Sequence, residues 1–218
     1  MKNIKIYINE RLHITTQSHA HNYTCHPKDK YELQNIIIER IRESGPTCDL
    51  NDIDVSNIED MSHLFYIDYN KELGNILSSF NGDVSKWDVS GVTNMKEMFV
   101  YCKNFEGDVS QWDVSNVTNM ESMFGECEKF QCNISDWDVS KVENTRCMFC
   151  GCKKFNCNLS KWDMSKIYDM SKMFFKCKSF RQNIDGWNVG CKSHLDHAYM
   201  TLAFKGCPTQ PKWYDEDK

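Results

Sequence analysis

The sequence predicts an α/β repeat solenoid, a stack of about six 25-residue strand–turn–short helix units held between an N-terminal and a C-terminal cap. Three observations predict it. Trp87, Trp112, Trp137, Trp162 and Trp187 stand 25 residues apart, as do Phe80, Phe105, Phe130, Phe155 and Phe180. Met98, Met123, Met148 and Met173, each followed by Phe, keep the same interval, and so do Cys102, Cys127, Cys152 and Cys177. An Asp-Val-Ser triplet starts at Asp54, Asp88, Asp113 and Asp138, becomes Asp163-Met164-Ser165, and decays to Asn188-Val189-Gly190. A fixed period of this size marks units that cannot bury an apolar face alone and do so by stacking.

Residues 1–50 read as the N-terminal cap. Ile4–Leu12 is expected to be a strand, and a polar loop with His19, His21, Cys25 and His26 follows it. From Asp29 to Glu43, the spacing of Leu33, Ile36, Ile37 and Ile41 predicts an amphipathic helix ending near Gly45-Pro46. The repeat region is assigned to residues 51–205. Its first triplet interval is 34, nine more than the rest, and the extra residues within 66–79 predict a protruding loop.

Within one unit, Val109, Trp112, Val114 and Val117 lie among Gly, Asp, Ser and Asn, a pattern of short strands and turns. Met120, Met123, Phe124 and Cys127 follow at i, i+3, i+4, i+7, the spacing of one face of a short helix. Asn119, with Asn94 and Asn144 in sister units, stands where it would cap that helix. The repeat fades where Leu195, Ala198 and Tyr199 replace the earlier Met, Met and Phe. Residues 206–218, with Pro208, Pro211 and Asp215-Glu216-Asp217, read as a disordered C-terminal tail.

The unit F-x-G-D-V-S-x-W-D-V-S-x-V-T-N-M-x-x-M-F-x-x-C resembles the BspA-type branch of leucine-rich-repeat proteins, over about residues 51–205. It is most similar to the 25-residue repeat of mycoplasma and gut-bacterial surface lipoproteins and of phages and mobile elements of such bacteria. The resemblance implies a leucine-rich-repeat-like stack whose members bind proteins or cell surfaces and are not enzymes. The chain departs from the surface members in showing neither a signal peptide nor a lipobox cysteine.

Charge adds a polarity. The net charge is −5, against a whole-chain nucleic-acid binder. Residues 81–138 hold 4 Lys+Arg and 11 Asp+Glu, a balance of −7, while residues 139–205 hold 12 and 5, a balance of +7. Stacking keeps sequence order in space, so an acidic end and a basic end are expected. Residues 1–12 lack an apolar signal-peptide core, and no stretch reaches the ~18–20 apolar residues of a membrane span. The expectation is a chain in a reducing bacterial or phage-infected cytoplasm with free thiols, the cell surface being the alternative.

The cysteines at 102, 127, 152 and 177 read as small core residues, because they keep register with the Met-Phe pair. Two clusters invite a metal: Cys147-x-x-Cys150, with Cys132, Cys152 and Cys157 near in register, and His19, His21, Cys25 and His26. Neither shows the paired ligand spacing of a structural zinc site, and no cofactor or metal is expected. Gly-rich phosphate loops, Gly-x-Ser-x-Gly elbows and His-Glu-x-x-His motifs are missing, so no enzyme is expected either. The aspartate column reads as turn-closing residues.

Function is expected on the surface columns that vary from unit to unit. Phe175 stands among Lys172, Lys176, Lys178 and Arg181, with Lys153 and Lys154 one unit earlier, an aromatic and basic patch. The sequence thus predicts a non-enzymatic binding protein with a protein partner, contact with partner-bound RNA as a further option, and no membrane contact. Two alternatives stand beside it. One is a mobile-element inhibitor of a host defence nuclease or nucleoprotein; the other is a surface adhesin module without its export signal.

Overall fold

The computed structural model describes residues 23–190 and 200–214. It overturns the expected α/β solenoid of strand–turn–helix units and with it the leucine-rich-repeat-like architecture. Among the described residues there are two α-helices, α1 (Lys30–Ser44) and α2 (Lys71–Ser78), neither inside a regular unit, and only isolated parallel bridges in place of a sheet. The units are built from turns. Ile4–Leu12, His19, His21, Leu195, Ala198, Tyr199 and Asp215–Asp217 lie outside the described residues.

The reason is visible between Phe105 and Phe130. Trp112 donates its amide to Val109, Val117 to Val114, Met123 to Met120, Cys127 to Phe124 and Phe130 to Cys127, each an i→i−3 turn bond of 2.9–3.2 Å. Asp108, Asp113 and Asn119 each accept the amide of the residue two positions on (Ser110, Ser115 and Glu121) at 2.9–3.0 Å. Asn119 therefore closes an Asx turn, and no helix follows it to be capped. Three-residue turn steps bury one apolar residue per step, which imitates the spacing of a helix face. Ser122 and Glu126 have φ of 54° and 61°, left-handed values that a right-handed helix and an extended strand both exclude.

This alternation aims amides along the stack. Met95, Glu97, Phe99 and Tyr101 donate to the carbonyls of Asn119, Glu121, Met123 and Gly125 in the next unit at 2.7–2.9 Å. Met120, Ser122, Phe124 and Glu126 repeat this onto Asn144, Arg146, Met148 and Cys150, and Thr145, Cys147, Phe149 and Gly151 onto Asp169, Ser171, Met173 and Phe175. Fewer bonds run back, such as Thr118 to Thr93 and Glu143 to Thr118. Backbone groups that a sheet would pair are thus satisfied without one.

The core is a set of like residues in register. Trp87 lies on Trp112, and Trp137 on Trp162, at 6.4 and 6.5 Å between ring centroids with interplanar angles of 5° and 4°. Phe99, Phe124, Phe149 and Phe174 form a second column at 5.6–6.0 Å, each also 4.0–4.3 Å from a Phe of a third column (Phe105, Phe130, Phe155 and Phe180). Cys127, Cys152 and Cys177 are fully buried and donate their S–H groups to the carbonyls of Phe99, Phe124 and Phe149 at 2.9–3.0 Å. A thiol fits this column because it is small and carries one weak donor, which adds a second bond to a carbonyl that already accepts a turn amide.

Both ends of the stack are covered. Asp29 caps α1 by accepting the amides of Tyr31 and Glu32 at 2.9 Å, and Gly45, at φ 83°, ends it with its amide on Ile41. Leu33, Ile37, Ile38 and Ile41 of α1 are buried, and its Gln34 amide group donates to the carbonyls of His63 and Leu64 at 3.0 and 2.9 Å. The insertion within 66–79 does not protrude as a loop. It folds into α2, capped by Asn70 and packed against α1, with Leu77 buried. At the other end, residues 207–214 continue the columns instead of trailing away. Trp213 donates its indole N–H to Ile184 at 3.1 Å, and Tyr214 meets Phe204 edge-on at 4.9 Å, closing the aromatic ladder.

Candidate functional site

The cross-unit ladder sets side chains in columns on one strip of surface, here called the turn face. His63, Glu97, Ser122, Cys147 and Lys172 occupy its first column, all at φ between 54° and 57°. Tyr101, Glu126, Gly151 and Lys176 occupy the next, and Val100, Gly125, Cys150 and Phe175 lie beside it. The scaffold repeats while these residues change chemistry from unit to unit.

The N-terminal end of the face is aromatic. His63 Nδ1 lies 3.2 Å from Glu97 Oε2, and Tyr66 and Tyr101 rings are 5.6 Å apart. Beside them a groove of about 500 Å³ runs between α1 and the first unit, lined by Lys30, Tyr31, Gln34, His63, Tyr66 and Tyr69 among others. Tyr31 and Tyr69 are 69% and 83% exposed, and Tyr101 is 47% exposed, so large amphipathic rings face solvent here. Sequence reading missed this groove. Tyr66 and Tyr69 lie in the insertion and Tyr31 on α1, and only the fold joins them; Tyr101 alone was legible, as the aromatic member of a varying column.

At the basic end the predicted patch divides. Lys153 is paired with Glu128 at 2.6 Å and Lys154 with Glu106 at 3.9 Å, so both face the acidic half of the chain. Arg181 donates to the carbonyl of Ser179 at 3.2 Å, Lys178 is exposed, and the Lys153 hydrogen bond holds the Glu128 carboxyl below its usual range. Lys172, Phe175 and Lys176 are brought together on the turn face, with Lys176 Nζ 5.0 Å from the Phe175 ring centre. Among the described residues no carboxylate comes within ion-pair distance of Lys172 or Lys176. A partner that supplies carboxylates would meet two uncommitted ammonium groups and an aromatic ring.

The thiol and histidine clusters are also placed. His26 pairs with Asp54 at 3.1 Å, Cys25 lies under Arg40, and His19 and His21 are outside the described residues. Cys132 and Cys157 share a column, where they donate to Asp108 and Asn133 at 3.4 and 3.2 Å. Cys147 and Cys150 lie together on the turn face. Among the described residues no three His, Cys, Asp or Glu side chains converge as a metal-holding group. No described helix is long and apolar enough to cross a membrane.

Comparison with known proteins defines the class first. The family described as "Mycoplasma protein of unknown function, DUF285" matches residues 40–146 and, in a second overlapping alignment, residues 70–187. Those two matches cover more than half of the chain, and the protein belongs to this family, a family of bacterial repeat proteins. No curated protein and no solved structure matches the chain.

Proposed function

We propose that the chain is a non-enzymatic binding protein whose partner is another protein, engaged by the turn face. The observation that carries this reading is the contrast along that face. Hydrogen bonds and core columns repeat in every unit, while the outward residues run from His63, Tyr66 and Tyr101 to Lys172, Phe175 and Lys176. Exposed tyrosines give large contact area at low entropic cost, and unpaired lysines steer an acidic surface toward the opposite end. The partner is therefore a protein with an acidic patch that meets the Lys172–Lys176 end.

A second reading, a surface adhesin, is supported by membership of a Mycoplasma family and by the likeness of the repeat motif to BspA-type surface proteins. Both readings use the same face and differ in where the partner resides.

The test is capture by the immobilised protein from cytosolic and surface-protein fractions of the source cell. The wild type is compared with Lys172→Glu/Lys176→Glu and with Lys141→Glu/Lys161→Glu, an equal charge change outside the turn face. The reading expects a protein retained by wild type and by the control pair, lost with the Lys172/Lys176 pair, and weakened by salt. A surface-fraction partner favours the adhesin. Retention by both variants, or release on nuclease treatment, contradicts the proposal.

A further inference from the structure

One turn of the face differs in kind from its sisters. The two columns that hold Glu97 and Val100, Ser122 and Gly125, or Lys172 and Phe175 elsewhere hold two thiols in this unit, Cys147 and Cys150. The pair spans a single turn, closed by the Cys150 amide on the Cys147 carbonyl at 3.0 Å. A closed turn brings its first and fourth Cα atoms within ~7 Å, and a disulfide needs ~4.4–6.8 Å. Both thiols are partly exposed.

The surroundings are arranged around them. Glu126 Oε1 lies 4.0 Å from Cys150 Sγ, as acceptor of its S–H. That carboxylate has room because residue 151 is glycine at φ 74°, where a Cβ would stand 2.7 Å from the Glu126 carboxylate atoms. The charged and titratable groups facing the pair are Arg146 and Lys172 on the Cys147 side, and Glu126 and the buried Cys152 on the Cys150 side.

We propose that Cys147 and Cys150, with the Glu126 carboxylate, form a thiol–disulfide exchange site whose substrate is an accessible disulfide. Cys147 is the nucleophile. The neighbouring Cys150 thiol, followed by the Arg146 and Lys172 charges, brings its thiol down to about 7. The adjacent Cys147 and burial push the Cys150 thiol up, so it keeps its proton until needed. The ladder thiols Cys102, Cys127, Cys152 and Cys177 are fully buried and raised by desolvation, which leaves them inert.

In the first step the Cys147 thiolate, its proton lost to solvent, attacks one sulfur of the substrate. A Cys147–substrate S–S bond forms, the substrate S–S bond breaks, and the first thiolate leaves with the electron pair. In the second step Cys150 gives its proton to Glu126 and attacks Cys147 Sγ. The Cys147–Cys150 bond forms and the second substrate thiolate leaves. The two thiolates take up the two protons, so the protein dithiol is oxidised by two electrons and the substrate reduced to two thiols.

The test uses the reduced, folded protein and oxidised glutathione at pH 7.5, with acid quenching, intact mass spectrometry and peptide mapping. Wild type is expected to gain one disulfide, Cys147–Cys150, with two glutathione thiols released. Cys150→Ser should stop at a mixed disulfide on Cys147, and Cys147→Ser should react at least tenfold more slowly. Glu126→Gln should form the mixed disulfide normally and resolve it about tenfold more slowly. On the wild type alone, the rate of Cys147 alkylation by iodoacetamide should titrate with an inflection near 7. Oxidation mapping to another pair such as Cys177–Cys207, a Cys147→Ser protein as reactive as wild type, unimpaired resolution in Glu126→Gln, or an inflection at the ordinary thiol value near ~8.5 would overturn the assignment.

Discussion

The indole N–H of Trp112 donates to the carbonyl oxygen of Val84 at 3.1 Å, 28 positions earlier in the chain. The same bond joins Trp137 to Val109, Trp162 to Ile134 and Trp187 to Leu159 at 2.8–3.1 Å. Each tryptophan thus fills its own unit and satisfies a buried carbonyl of the unit before. The tryptophan period is a hydrogen-bond requirement as well as a packing one. Trp112→Phe keeps most of the ring and removes the donor; the Val84 carbonyl keeps the Trp87 amide at 3.1 Å, so the expected cost is that of one hydrogen bond, about 0.5–1.5 kcal/mol. Trp112→Ala is expected to cost about 3–5 kcal/mol. Equal unfolding midpoints for wild type and Trp112→Phe in urea would show that the bond contributes nothing.

Gly82 is confined by backbone. A Cβ there would stand 2.0 Å from the carbonyl oxygen of Cys48, whereas at Gly186 nothing lies within 4 Å. Gly82→Ala is expected to destabilise by about 1–3 kcal/mol or more, as overpacking against an atom that cannot swing aside. Gly186→Ala should change stability by less than about 0.5 kcal/mol, as surface substitutions usually do. Thermal midpoints of the two variants decide this, and a similar shift in both would contradict the close approach.

The cap on the first unit rests on Gln34, whose side chain serves the carbonyls of both His63 and Leu64. Gln34→Met keeps the volume and deletes the donors. A loss of about 1–3 kcal/mol is expected, read from urea unfolding. An unchanged midpoint would mean that α1 covers the stack by apolar contact alone.

Acid should weaken the fold in a stated window. Asp113, Asp138 and Asp163 accept from the hydroxyl and amide of Ser115, Ser140 and Ser165, which holds each carboxyl below its usual range. A carboxyl depressed in the folded state stabilises fully above its unfolded value near ~3.9, and that contribution is lost as pH falls through the folded value. The urea midpoint should therefore change little between about pH 7 and 5 from this source and fall below about pH 4. Asn133, Asn158 and Asn183 close equivalent turns without titrating. Asp113→Asn/Asp138→Asn should accordingly shallow the acid limb, and an unchanged limb would contradict the assignment.

What could be read in advance follows from what repeats. The inward columns were legible because burial imposes one residue type per position, and α1 was legible because Asp29 and Gly45 mark its ends. The unit's backbone was misread because Met120, Met123, Phe124 and Cys127 satisfy three-residue turns as well as a helix face. The deciding signal, left-handed backbone at Glu97, Ser122, Cys147 and Lys172, falls on residue types that do not announce it. In the candidate site, the pairing of Lys153 with Glu128 was open to view as two residues 25 apart in opposite charge. That of Lys154 with Glu106, two units apart, and the Tyr31–Tyr69 groove were not, since they depend on side-chain reach and on how α1 sits.

The central claim is that amides of alternate residues cross from unit to unit and so fix the columns of the turn face. Its most direct test is the scalar coupling transmitted through those hydrogen bonds, seen as long-range amide-to-carbonyl correlations by NMR. The account predicts correlations from the Glu97 nitrogen to the Glu121 carbonyl carbon, from Ser122 to Arg146 and from Cys147 to Ser171. Correlations within the unit from Phe124 to Met120, the i→i−4 bonds of a helix, with none across units, would contradict it.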